Sequence, residues 1–144
     1  MTTHERARFW RLRLASWLGD SAAMYDLASA CELGVGTPPN DLAATHWHQR
    51  AAARGDARSM AALGKRYAAG QTLPENKIDA LMWLTLATDF CNADVLRRVF
   101  VWQRDELAAG MSAADQETAA RRAQEWREAF LSQRRARPPP QAEV

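Results

Sequence analysis

The run ATHWHQRAAARGDARSMAALGKRYAAG, residues 44–70, decides the fold. Its first part carries Ala44, Trp47 and Ala51 at helical spacing, Gly55-Asp56 interrupts it, and Met60, Leu63 and Tyr67 resume the spacing until Gly70. Apolar residues recurring every three or four positions line one face of a helix. Glycine ends a helix because it takes the left-handed conformation without strain. An aspartate directly after such a turn can accept from a free amide of the next helix. The run therefore reads as the second helix of one pair, a tight turn, and the first helix of the next.

Working outward, the same landmarks return at a shift of 36 residues: Gly19-Asp20 as Gly55-Asp56, Met24 as Met60, Leu27 as Leu63, Gly34 as Gly70, Asn40 as Asn76, Ala44 as Ala80, Trp47 as Trp83 and Ala51 as Ala87. A period of this length marks a pair of helices that cannot bury its apolar face alone and must stack on its neighbours. With the first helix of a pair called A and the second B, the spacing predicts A helices over 20–33 and 56–69. B helices are predicted from Asn40 or Asp41 to Arg54 and over 76–89. Gly34-Val35-Gly36 followed by Thr37-Pro38-Pro39 reads as a helix stop, since proline cannot continue the ladder. Residues 92–109 carry Val95, Leu96, Val99, Phe100, Trp102 and Leu107, a band broad enough to predict a helix sandwiched between two others. Ser112 caps a last helix with a narrow stripe of Ala119, Ala123, Trp126 and Phe130. Residues 5–18 fall in the phase of a missing B helix, with Trp10, Leu14, Trp17 and Leu18 expected to cover the flank of the first A helix. Residues 134–144, with Pro138-Pro139-Pro140, show no periodicity and are expected to be a disordered tail.

The order of Ala44, Trp47, Ala51 and Ala52, then Gly55-Asp56-Ala57, then Leu63-Gly64-Lys65-Arg66-Tyr67 and Gly70, closely resembles the SEL-one-like repeat, a relative of the tetratricopeptide repeat. Two units, about 20–55 and 56–91, carry the pattern, and 92–133 looks like a degenerate closing unit. Ala28 stands where the pattern has Gly64, Cys31 where it has Tyr67, and Cys91-Asn92 replaces the Gly-Asp turn. The resemblance implies an all-α fold: one domain over 1–133, a short right-handed α/α superhelix (solenoid) of antiparallel helix pairs with N- and C-terminal capping helices. Physically, Gly64 and the alanines permit close helix approach, and Trp47 and Trp83 fill the space between successive pairs.

Hydrophobic residues make up 47% of the chain and charged residues 25%, proportions of a globular protein that exclude wholesale disorder. The formal net charge of +2 gives no general pull toward nucleic acid. The N-terminal residues lack a signal-peptide pattern, no window is long and apolar enough for a membrane span, and two cysteines without CxxC spacing suit a reducing compartment, so a cytoplasmic location is expected.

His46 and His48 flank Trp47, but a spacing of two sends them to different sides of a helix, so both are expected on the surface and no metal site is assigned. Cys31 is expected as inward packing and Cys91 as partly exposed, both as free thiols. Ser, His and Asp form no diagnostic nucleophile and base arrangement, and no phosphate-binding glycine loop is present. No enzyme activity, catalytic residue or cofactor is expected.

The resemblance implies an adaptor or scaffold that binds a peptide or protein, of unknown identity, on the concave face of the A helices. With Leu63, Gly64 and Tyr67 facing inward, the concave positions fall near Arg58, Ala61 and Lys65. One repeat earlier they are Ala22, Tyr25 and Ser29 with Glu32 beside them, and one repeat later Asp94, Arg97 and Val101. The candidate partner-binding residues are therefore Tyr25, Ser29, Glu32, Arg58, Lys65, Asp94, Arg97 and Val101, with Tyr25, Arg58 and Arg97 as the anchors. Other readings stay open: a permanent accessory subunit using Trp10, Trp17 or Trp102; binding of nucleic acid or a membrane surface through Arg6, Arg8, Arg11 and Arg13 or the Arg134, Arg135, Arg137 end; and, last, a hydrolase. Because the first four arginines spread around the helix instead of gathering opposite the tryptophans, a solvated flank is the expected role for them.

Overall fold

The computed structural model describes residues 1–137; residues 138–144, with the proline run, lie outside the described residues. Seven helices follow one another among those described: α1 (Thr3–Trp17), α2 (Ser21–Leu33), α3 (Asp41–Ala53), α4 (Ala57–Ala69), α5 (Lys77–Phe90), α6 (Asp94–Ala109) and α7 (Ala113–Ala136). Helices α2 and α3 form one antiparallel pair and α4 and α5 the next, and α3 packs on α4 to stack them. The architecture is a short α/α solenoid.

The repeat is written into the backbone as well as the side chains. Asp20 accepts from the Ala23 amide at 3.1 Å, and Asp56 accepts from the Ser59 amide at 3.0 Å. Gly34 and Gly70 close α2 and α4 at φ +73° and +68°, where a side chain would be strained. The loops then double back identically: the Asn40 amide donates to the Cys31 carbonyl, and the Asn76 amide to the Tyr67 carbonyl. The Asn40 and Asn76 side chains cap α3 and α5 at 3.0 Å each. The third unit departs from this grammar, since Ala93 precedes α6 without a side-chain cap.

Apolar burial runs along the stack. Met24, Leu27, Met60, Leu63 and Leu86 are fully buried. The main core gathers Met60, Leu63, Leu84, Leu86, Phe100 and Ala123, and a smaller cluster of Leu27, Cys31 and Ala44 closes the N-terminal end with Phe9, Leu12 and Trp47. Cys31 is buried and Cys91 half-buried, both as free thiols. At Gly64 the helices approach so closely that a β-carbon would sit 2.7 Å from Leu84 Cγ.

Three expectations are corrected. Trp10, Leu14, Trp17 and Leu18 do not cover α2; they face solvent, and Phe9 and Leu12 pack instead. The cause is register: on α3 the residues Thr45, His48 and Ala52 are buried, and 36 positions earlier that face is Phe9, Leu12 and Ser16. Helix α6 is not sandwiched either. Its chief neighbour is α5, because α7 turns back over α5, and Val95 and Trp102 remain exposed. Arg122 and Arg127 of α7 bind Asp79 and Asp89 of α5, and Trp126 meets Trp83 and Phe90 edge-on. Finally, α7 runs to Ala136, so Arg134 and Arg135 are helical, and the Arg134 guanidinium lies over the Phe130 ring, 5.1 Å from its centre.

Candidate functional site

The helical stack leaves a groove of about 370 Å³ between α2, α4 and α6. Helix α2 contributes Tyr25, Ser29 and Glu32; α4 contributes Arg58, Ala61, Ala62 and Lys65; α6 contributes Leu96, Val99, Phe100 and Gln103. Five of the eight predicted partner-binding residues, Tyr25, Ser29, Glu32, Arg58 and Lys65, are brought together here. The remaining three, Asp94, Arg97 and Val101, line a separate shallow depression on α6 together with Arg98.

The displacement has a register cause. The groove residues of α4, at 58, 61, 62 and 65, recur on α6 at 96, 99, 100 and 103, a shift of 38 in place of 36. Helix α5 has 14 residues where α3 has 13, so α6 begins 37 residues after α4, and the three-residue Cys91–Ala93 link lacks the Gly-Asp turn and leaves α6 rotated by a further residue. A register shift of two positions turns a helix by about half a revolution. The wall supplied by α6 is therefore apolar, where the 36-residue period predicts charge.

The Arg58 guanidinium lies over the Tyr25 ring, 4.0 Å from its centre, and reaches Asp56 at 3.3 Å. This contact holds a flat cation and an aromatic ring together at the groove surface. Lys65 is exposed and makes no ion pair among the described residues. The Gln103 side-chain carbonyl is buried with no hydrogen-bond partner among them, leaving an acceptor without a donor beside the groove. An unsatisfied buried acceptor costs free energy that an incoming donor can recover.

Beneath the groove lies a polar network that sequence reasoning missed. Arg66 is buried; it donates to Asp41 Oδ1 at 2.8 Å and to Thr45 Oγ1 at 3.0 Å, and it reaches Glu32 at 3.3 Å. Gln71 donates to the other Asp41 oxygen at 3.0 Å. The hydrogen bond from Arg66 holds the Asp41 carboxyl below the usual range. His48, expected on the surface, is 2% exposed, with Nδ1 3.3 Å from Ser59 Oγ and its ring against Tyr25. Burial first, and the nearby Arg66 charge second, push its pKa down to about 4, so the imidazole is neutral at neutral pH. His46 is exposed, stacked edge-on to Trp47. Both buried polar residues had a readable signal in the repeat itself. His48 stands where the second unit has Leu84, a core position, and Arg66 where the first has the buried Ala30. A polar residue in a buried phase needs a partner, and here the partners come from the neighbouring repeat.

The stacked pairs and the groove between their A helices define a helical-repeat scaffold. The chain carries two Sel1 repeats, at residues 21–56 and 57–89. Sel1 repeats in general build protein–protein interaction modules. Solved structures similar to it include the following two. One is a protective antigen present in uropathogenic Escherichia coli strains that displays an SLR fold; it is 21% identical with a TM-score of 0.73, over 98% of this chain and 30% of that one. The other is a Sel1 repeat protein from Oxalobacter formigenes, 26% identical with a TM-score of 0.57, over 61% of this chain and 36% of that one. The chain thus spans about a third of the length of these structures. No curated protein matches it. Among the described residues no helix is long and apolar enough to cross a membrane.

Proposed function

We propose that the chain is a non-catalytic adaptor that binds a peptide or protein segment in the groove between α2, α4 and α6. The observation that supports this most is the pairing of an apolar wall with a charged one across an open channel. Leu96, Val99 and Phe100 offer apolar surface, and Arg58 on Tyr25, Lys65 and the rim carboxylate of Glu32 offer charge. Buried aromatic and arginine anchors carry much of the binding energy at protein interfaces. A segment that sets an apolar side chain on Phe100 and an acidic one near Lys65 suits both walls. Asp94, Arg97 and Val101 would then take part only with a partner that wraps around the outer side of α6.

The test is recovery of the tagged protein from its native cells, beside two folded variants. Tyr25→Ala with Lys65→Glu alters the groove, and Arg97→Glu alters the outer depression. A stoichiometric protein partner lost in the first variant and kept in the second is the expected result. A partner kept in the groove variant, or no protein partner at all, would overturn the reading.

A further inference from the structure

We propose that the outward face of α1 is a docking surface for an anionic phospholipid bilayer. This goes beyond the groove and rests on other residues. Trp10, Leu14, Trp17 and Leu18 are 62%, 60%, 75% and 72% exposed. They lie at i, i+4, i+7 and i+8, one continuous stripe along the helix. Phe9 and Leu12 point the opposite way into the core, so the stripe is surplus to folding.

The other two B-phase helices show what this face ordinarily meets. At 72 residues later the same positions are Met82, Leu86, Asp89 and Phe90 of α5, against which α7 packs, with Trp126 and Phe130 on Phe90 and Arg127 on Asp89. At 36 residues later they are His46, Arg50, Ala53 and Arg54 of α3, polar or small and largely open. The face is chiefly apolar where a neighbouring helix packs on it and polar or small where it is bare, except on α1, where it is apolar and bare. An occupant from outside the described residues resolves the exception.

Charge identifies that occupant. Arg6 and Arg13 border the Trp10 and Trp17 edge of the stripe, and Arg11, three positions before Leu14 and seven before Leu18, borders the other. Arg13 lies 5.4 Å from the centre of the Trp10 ring. None of these arginines makes an ion pair among the described residues. The one carboxylate of α1, Glu5, is turned to the Thr2 capping box. A second copy of the chain would set arginine against arginine, whereas an anionic lipid surface supplies apolar depth and negative headgroups together. Indole rings favour that boundary, and a helix with aromatic and leucine residues between arginine flanks lies along it. The spread of arginines around α1, read from sequence as a solvated flank, is a two-sided border once the inner face is known.

The full chain is co-sedimented with vesicles of phosphatidylcholine alone and with about a third phosphatidylglycerol, a composition that gives the surface negative charge. Binding is expected only to the anionic vesicles. Arg6→Gln, Arg11→Gln and Arg13→Gln together should lower the partition coefficient on the order of a hundredfold, at about fivefold per arginine. Trp10→Ser with Trp17→Ser should abolish it. His46→Ser with Arg50→Ser, on the same face of α3, should leave it unchanged. All of these side chains lie outside the core, and circular dichroism checks that each variant stays helical. No binding to anionic vesicles, or equal binding by the tryptophan variant, would overturn the proposal. So would a dimer that the tryptophan variant dissolves without any vesicle binding.

Discussion

The interface between α3 and α4 and that between α5 and α6 occupy equivalent places in the solenoid, yet they are built from opposite chemistry. On α3 the face that meets the next A helix presents Thr45 and His48, answered by Ser59 and Arg66. On α5 the corresponding positions are Leu81 and Leu84, and Phe100 joins the same core. Position in a repeat fixes that a residue is buried; the facing residue fixes which chemistry burial allows. The polar version lies directly under the groove, so its charges set the field a ligand meets.

Breaking the polar interface should have the largest effect. Arg66→Ala removes a buried side chain and strips the partly exposed Asp41 and Glu32 of their shared cation, and should cost about 3–4 kcal/mol from lost packing and charge-assisted hydrogen bonds together. Denaturant unfolding measures it, and a loss under about 1 kcal/mol would show that solvent already satisfies those carboxylates.

Next in size is the pH response. His48 has a folded pKa of about 4 against an ordinary 6.5. Above pH 6.5 both folded and unfolded states hold a neutral ring and nothing is lost. As pH falls below that, the unfolded chain takes up the proton first, and stability should drop by about 3 kcal/mol until the folded ring also protonates near pH 4. The lowered Asp41 carboxyl contributes stability that is lost only at lower pH, below the ordinary carboxylate value of 3.8, as it too protonates. His48→Leu, which copies the second repeat, should flatten the window between pH 6.5 and 4 while changing stability at pH 7 by about 1 kcal/mol or less.

The smallest effect concerns the helix contact within each pair. Ala28 is accepted in the first repeat, but Gly64→Ala in the second would press on Leu84 Cγ and approach the Ala80 carbonyl at 3.2 Å. It should cost about 1–2 kcal/mol in thermal unfolding, although alanine is the better helix former. A neutral or stabilising Gly64→Ala would mean that Leu84 gives way freely.

Much of the fold is legible in the sequence, because its signals are local. Asp20, Asn40, Asp56 and Asn76 cap the four repeat helices, and Gly34 and Gly70 end the two A helices, as helical spacing and turn chemistry predict. The site is legible only as far as the period holds. It places Tyr25, Ser29, Glu32, Arg58 and Lys65 along one groove and then fails at α6, where a longer α5 and the missing Gly-Asp turn shift the register. The burial of His48 was hidden by reading one helix alone, since a spacing of two says nothing about what the next helix brings against each ring. The exposure of Trp10 and Trp17 was hidden for the converse reason: apolar character marks a surface that needs cover, and the cover need not belong to the same fold.

The most direct measurement places a photo-crosslinking amino acid at Lys65 on the groove and, separately, at Arg97 on the outer side of α6, in the native cells. Capture of a single discrete protein from position 65 and none from position 97 is the predicted result. Capture from 97 alone, or from neither position, would contradict the assignment of the groove between α2, α4 and α6 as the partner site.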